Sequence, residues 1–195
     1  MTYRVQARDY LERAKSLLSD GSSSSLYYAA FELRCGFEAR MNEYLDVQKH
    51  ISAKKKRGWQ VSKIAQNIED AFRIGEKSAI IRIVDRNDPD LILDMRYTPV
   101  RKNGRKIAEK LGNYLHRSTR YNAPEDQYWD NFRELLKDGV AELEYSTSGM
   151  LLGPPLHNPK TKQADLKVDV TDKSAEPMLS LFNSMSEIDL HVRYE

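Results

Sequence analysis

With one cysteine, Cys35, the 195-residue chain cannot form an intramolecular disulfide, and a reducing compartment is expected. Its place inside a helical pattern makes Cys35 a small core residue. No apolar stretch approaches the roughly 20 residues that span a bilayer, and the opening MTYRVQARDYLERAK lacks the apolar run of a signal peptide. The reading is therefore cytoplasmic, with no membrane partner. A net charge of only +2 argues against nonspecific coating of nucleic acid while leaving room for a local basic patch. There is no glycine-rich phosphate loop and no Cys-x-x-Cys, and His50, His116, His157 and His191 lack metal-ligand spacing. Neither a metal nor another cofactor is expected.

What the chain has is helical periodicity. At 40% hydrophobic and 31% charged residues it is globular, long enough for one sizeable core or a main domain with a small appendage. The longest periodic segment runs over residues 23–46, where Leu26, Ala30, Leu33, Phe37, Met41 and Tyr44 step by three or four and form a stripe that must be buried. Glu32, Arg34, Glu38 and Arg40 lie on its flanks, and Arg34 and Glu38, four apart, can pair along the surface. Before it, a helix over 4–18 is stopped by Gly21, and the serines at 22–25 cap the next helix, which predicts an antiparallel hairpin.

Lys54, Lys55, Lys56 and Arg57 form the strongest local charge feature. Such a run is either a solvated loop or a phosphate-contacting patch, and Trp59 beside it is either an aromatic anchor or a platform for a base. Further helices are predicted over 60–73, 105–116 and 125–146, the last lying against the central one. Two β-branched runs at 79–84 and 91–97 flank Asp85 to Asp90 and read as a β-hairpin. From Ser146 onward Gly149, Gly153, Pro154, Pro155 and Pro159 mark a linker, followed by strand patterns at 166–170 and 188–194 around a short helix near 177–185. The expectation is mainly α: a bundle of about five helices over residues 1–148 with the hairpin projecting from it, and a small α/β or β appendage over 149–195.

The candidate chemistry centres on His116, at the end of a helix in Lys110-Leu111-Gly112-Asn113-Tyr114-Leu115-His116-Arg117-Ser118-Thr119-Arg120. A helix C-terminus favours the protonated imidazole and the flanking bases oppose it. A histidine there either caps the terminal carbonyls or does acid–base work.

A helical domain with Tyr28-Ala29-Ala30-Phe31-Glu32-Leu33-Arg34 on its second helix, Trp59-Gln60 before its third, then a hairpin and Leu111-Gly112-Asn113-Tyr114-Leu115-His116 resembles a group of uncharacterised bacterial proteins. Through them it resembles the HEPN superfamily, over roughly residues 5–146. That resemblance implies a dimerising helical bundle and, as in many members, a metal-independent ribonuclease of a toxin, abortive-infection or other defence system. HEPN nucleases carry an arginine, four to six residues, then a histidine; here Lys110 stands in the arginine's place, a point charge instead of a bidentate fork. The implied roles are proton transfer by His116, charge compensation by Lys110, Arg117 or Arg34, and orientation by Glu32 and Asn113. Lys54, Lys55, Lys56, Arg57 and Arg120 would contact RNA, and a homodimer would supply a second histidine. The alternative is a non-catalytic helical dimeric interaction or regulatory module that holds a protein partner on the same surface.

Overall fold

The computed structural model describes residues 5–46, 63, 66, 75–116, 122–123, 125–157, 164–169 and 175–195. The chain is mainly α, with a three-stranded antiparallel sheet. It divides into two compact units, Met1–Arg73 with Val100–Thr147, and Ile74–Pro99 with Ser148–Glu195.

The first unit is helical. Helix α1 (Ala7–Asp20) ends at Gly21, whose φ of 71° is a left-handed conformation that costs glycine little. Helix α2 (Ser23–Asp46) follows after one further residue, so the two pack as the antiparallel hairpin expected. At its start the Ser25 amide donates to the Ser22 hydroxyl, and the Asp20 carboxylate accepts from the hydroxyls of Ser22 and Ser25. Every residue of the predicted stripe, Leu26 through Tyr44, is buried. Helices α3 (Lys102–Tyr114) and α4 (Gln127–Thr147) both pack on α2. Gly36 is what lets three helices meet, since a Cβ there would run into the Leu143 side chain and the Cβ of Tyr10. Of the helix predicted over 60–73, only Lys63 and Gln66 fall within the described residues, and both are helical.

Arg40, expected on a flank, is instead buried at 3% exposure. Its Nε donates to the Ser146 carbonyl at 2.8 Å and its Nη1 to Glu43 Oε2 at 2.9 Å. Glu43 Oε1 accepts the Ala7 amide at 3.0 Å, so one carboxylate closes the N-terminus of α1. Arg8 donates to the Thr147 carbonyl at 2.9 and 3.2 Å. Two guanidiniums thus cap the C-terminus of α4, where the helix leaves carbonyls unsatisfied. The Tyr44 ring lies 4.8 Å from the Arg40 guanidinium, and burial pushes its phenol up to about 12.

The second unit holds the sheet. Strand β1 (Ala79–Asp85) is central, pairing antiparallel with β2 (Ile92–Tyr97) on one side and with the last strand on the other. The segments β3 (Leu156–His157) and β4 (Ala164–Asp165) form a minimal hairpin, helix α5 (Ala175–Ser184) packs against β2, and β5 (Ile188–Tyr194) completes the sheet in the order β2-β1-β5. Hence the hairpin expected to project from the bundle clusters with the C-terminal segment. The physical reason is that β1, with Ile81 and Ile83 fully buried, needs a strand on each side, and β5 supplies the second. The strand expected over 166–170 shrinks to one bridge between Val168 and Leu151, flanked by the Leu152 amide on the Lys167 carbonyl and the Asp169 amide on the Met150 carbonyl.

Candidate functional site

Three of the candidate residues, Lys110, Asn113 and His116, sit on or just after α3. Lys110 and Asn113 are exposed and line an open cleft of about 500 Å³ with Tyr114, Asn131, Glu134, Leu135 and Asp138. His116 is exposed beyond the helix end. Helix α3 ends at Tyr114 and Leu115 caps it, so Lys110 is held on the helix while His116 stands two residues past its last turn. The cleft around Lys110 also contains two carboxylates, Glu134 and Asp138, which oppose a phosphate there.

Arg34 reaches α3 from the neighbouring helix. It projects from α2 onto Gly112, where a Cβ would overlap its guanidinium, and its Nε donates to Glu38 Oε1 at 3.2 Å. Gly112 lies on α3 four residues before His116, which follows the end of that helix. Burial raises the Glu38 carboxyl above its ordinary range, against the opposing pull of Arg34. Glu32, expected to orient the site, is engaged elsewhere, paired with Arg13 at 2.8 Å across the α1–α2 hairpin. Arg117 and Arg120 lie outside the described residues, as do Lys54, Lys55, Lys56, Arg57 and Trp59.

An aromatic cluster that the sequence reading did not single out as a group stands behind the cleft. Tyr114 stacks on Phe132 with centroids 4.2 Å apart, and the hydroxyls of Tyr27 and Tyr128 are 3.0 Å from each other. Trp129 Nε1 donates to the Ala123 carbonyl at 2.9 Å, so its polar atom is satisfied. Burial first, then the Tyr27 hydroxyl, push the Tyr128 phenol far above its usual value. These rings hold α2, α3 and α4 together at the end where His116 emerges. Their signal in the sequence is the pair Tyr128-Trp129 followed at helical spacing by Phe132.

Among the described residues no group of three or more His, Cys, Asp or Glu could hold a metal ion, and no described helix is long and apolar enough to cross a membrane. No protein-family model, curated protein or solved structure matches the chain.

Proposed function

We propose that this chain is an HEPN-like RNA-binding protein that acts as a metal-independent endoribonuclease in a cytoplasmic bacterial defence or toxin system. The observation that supports this reading is the Arg34 guanidinium seated on Gly112, four residues before an exposed His116 that follows the end of α3. In that reading His116 takes the proton of a ribose 2′-hydroxyl, the oxygen attacks the adjacent phosphorus, and the bond to the 5′-oxygen breaks. The products are a 2′,3′-cyclic phosphate and a 5′-hydroxyl end. Arg34 offsets the charge that grows on the phosphate, a task suited to its planar fork of donors. A second histidine, from another copy of the chain, returns a proton to the leaving oxygen.

A second reading has its own support. Tyr28 and Phe31 are 63% and 51% exposed and lie three residues apart on one face of α2, an aromatic pair of the kind found at interaction surfaces. A non-catalytic dimeric interaction or regulatory module would use that face.

Labelled single-stranded RNA incubated with chelator separates the two. The nuclease reading expects cleavage by the wild type, a loss of about 10²–10⁴-fold in His116→Ala, a comparable loss in Arg34→Ala, and a smaller one in Lys110→Ala. Cleavage that persists equally in the His116 variant removes the assignment, and a wild type inert toward RNA favours the interaction module.

A further inference from the structure

The two edges of the sheet are not alike. At β2 the Leu151 amide donates to the Arg96 carbonyl at 3.1 Å, so part of that edge is covered. At β5 the paired bonds between Ser78 and Glu195, 3.0 and 3.1 Å, and the Arg86 amide on the Glu187 carbonyl at 2.7 Å fix which backbone groups face β1. They are those of the odd-numbered residues. The amides and carbonyls of Ile188, Leu190, Val192 and Tyr194 therefore point away from the sheet, and among the described residues nothing pairs with them.

The side chains tell the same story. On the face of the sheet that packs inward, Met95 of β2 is 3% exposed and Ile81 and Ile83 of β1 are fully buried, yet Ile188 and Val192 of β5 are 39% and 40% exposed. Helix α5 lies against β2 and not against β5, and among the described residues the cover recorded on β5 is at its end, where the Tyr194 hydroxyl donates to the Pro155 carbonyl at 2.7 Å. An apolar stripe and an open hydrogen-bonding edge coincide on one strand.

We propose that β5 pairs antiparallel with β5 of a second copy of this chain, joining two sheets edge to edge about a two-fold axis through His191. This surface belongs to the second unit, and the proposal does not depend on the RNA chemistry of the helical one. The strand Ile188-Asp189-Leu190-His191-Val192-Arg193-Tyr194 is self-complementary in that register. Leu190 falls opposite Val192 and Ile188 opposite Tyr194 on the apolar face, and their outward backbone groups form the hydrogen-bonded pairs. On the other face Asp189 falls opposite Arg193, twice by symmetry. Asp189 takes both of its Arg86 contacts, 2.6 and 2.8 Å, on Oδ1, so Oδ2 is available to Arg193 of the second copy.

Sedimentation of the full chain from low micromolar to millimolar concentration tests this, with an expected approach to twice 22.6 kDa. Val192→Pro removes an outward amide without touching the β1 ladder, so it should raise the dissociation midpoint by at least about tenfold while the β1–β5 amides stay protected. Asp189→Arg and Arg193→Asp should each be monomeric, since each sets like charges opposite one another, and an equimolar mixture of the two should form a heterodimer. In a Cys35→Ser background, His191→Cys should oxidise to a covalent dimer, because residues on the two-fold axis would have Cα atoms about 4.5 Å apart. A monomer at every concentration, a dimer indifferent to Val192→Pro, or folded charge variants that fail to combine would each overturn the proposal.

Discussion

In the helical unit Arg40 and Glu43 are buried and bonded to the ends of two other helices, whereas in the sheet unit the pairs Arg82–Asp94 and Arg86–Asp189 stand about half exposed. The same chemistry has opposite consequences in the two places. A buried pair has lost its water, so each partner is indispensable to the other, while an exposed pair exchanges one solvated geometry for another. The Arg40–Glu43 pair therefore fixes how helices meet, and the exposed Arg82 and Arg86 pairs decorate strands whose hydrogen bonds already hold them.

The sharpest way to break this contrast is to remove one member of the buried pair. Arg40→Ala or Glu43→Ala should cost about 3–5 kcal/mol in urea unfolding, because each leaves an uncompensated charge and an uncapped helix end. Phe37→Ala, a purely apolar truncation of a fully buried side chain, should cost a similar ~3–5 kcal/mol and serves as the yardstick. Arg82→Ala should barely move the midpoint. An Arg40 variant as stable as the wild type would show that solvent reaches the pair and that the two units use charge alike.

Much of this architecture was legible in the sequence, and the failures have physical causes. The bounds of α2 were readable because its stripe repeats without interruption, and the hairpin because β-branched runs flank a polar turn. Arg40 was misread as a surface charge, although it falls three residues after Phe37 and four before Tyr44, at a position of the stripe itself. A charge at stripe spacing is the signal of a buried pair, and Glu43, three residues on, is its partner. That the hairpin joins β5 could not be read, because pairing Ala79 with Tyr194 is a contact across more than half the chain that local periodicity does not encode. At the candidate site the motif suggested Lys110 with His116, and the sequence carries no signal for where a residue past the end of α3 is directed. Arg34 was among the candidates, but only the packing onto Gly112 singles it out.

A smaller effect probes whether that packing matters. In Gly112→Ala the new methyl overlaps the end of the Arg34 side chain, which can swing away, and alanine is the better helix former by about 1 kcal/mol. Stability should change by no more than about 1 kcal/mol, and RNA cleavage should fall toward that of Arg34→Ala. Full activity in this variant would detach Arg34 from the proposed chemistry.

Acid should separate the units further. The Ser186 amide above all, then that of Asn87, hold the Asp85 carboxyl below the usual carboxylate range, both at 2.7 Å. A depressed carboxyl contributes stability that is present above its unfolded value near pH 4 and lost as pH falls through the folded one. Arg86 lowers Asp189 and Arg82 lowers Asp94 in the same direction. Glu38 in the helical unit is raised by burial, so its contribution has the opposite sign: present at low pH and lost as pH rises through the folded value. Amide exchange followed from about pH 5 downward should therefore open β1 and β5 before α2. Simultaneous loss of both would mean that the carboxylates do not distinguish the units.

The mildest probe is Cys35, the only thiol in the chain and a residue of the helical unit alone. Burial foremost, with the neighbouring carboxylates of Glu38 and Glu32 adding to it, pushes this thiol up to about 11. Because only the thiolate reacts, alkylation near neutral pH should run about two orders of magnitude slower than for a free cysteine. Substituting it should leave the fold intact, yet its rate of labelling reports the helical unit without interference from the sheet. In moderate urea at neutral pH, strand amides that have exchanged while Cys35 still labels slowly would show the sheet unit opening on its own. Labelling that accelerates in step with strand exchange would mean that one cooperative transition governs both units, and that the contrast between buried and exposed charge does not extend to their stability.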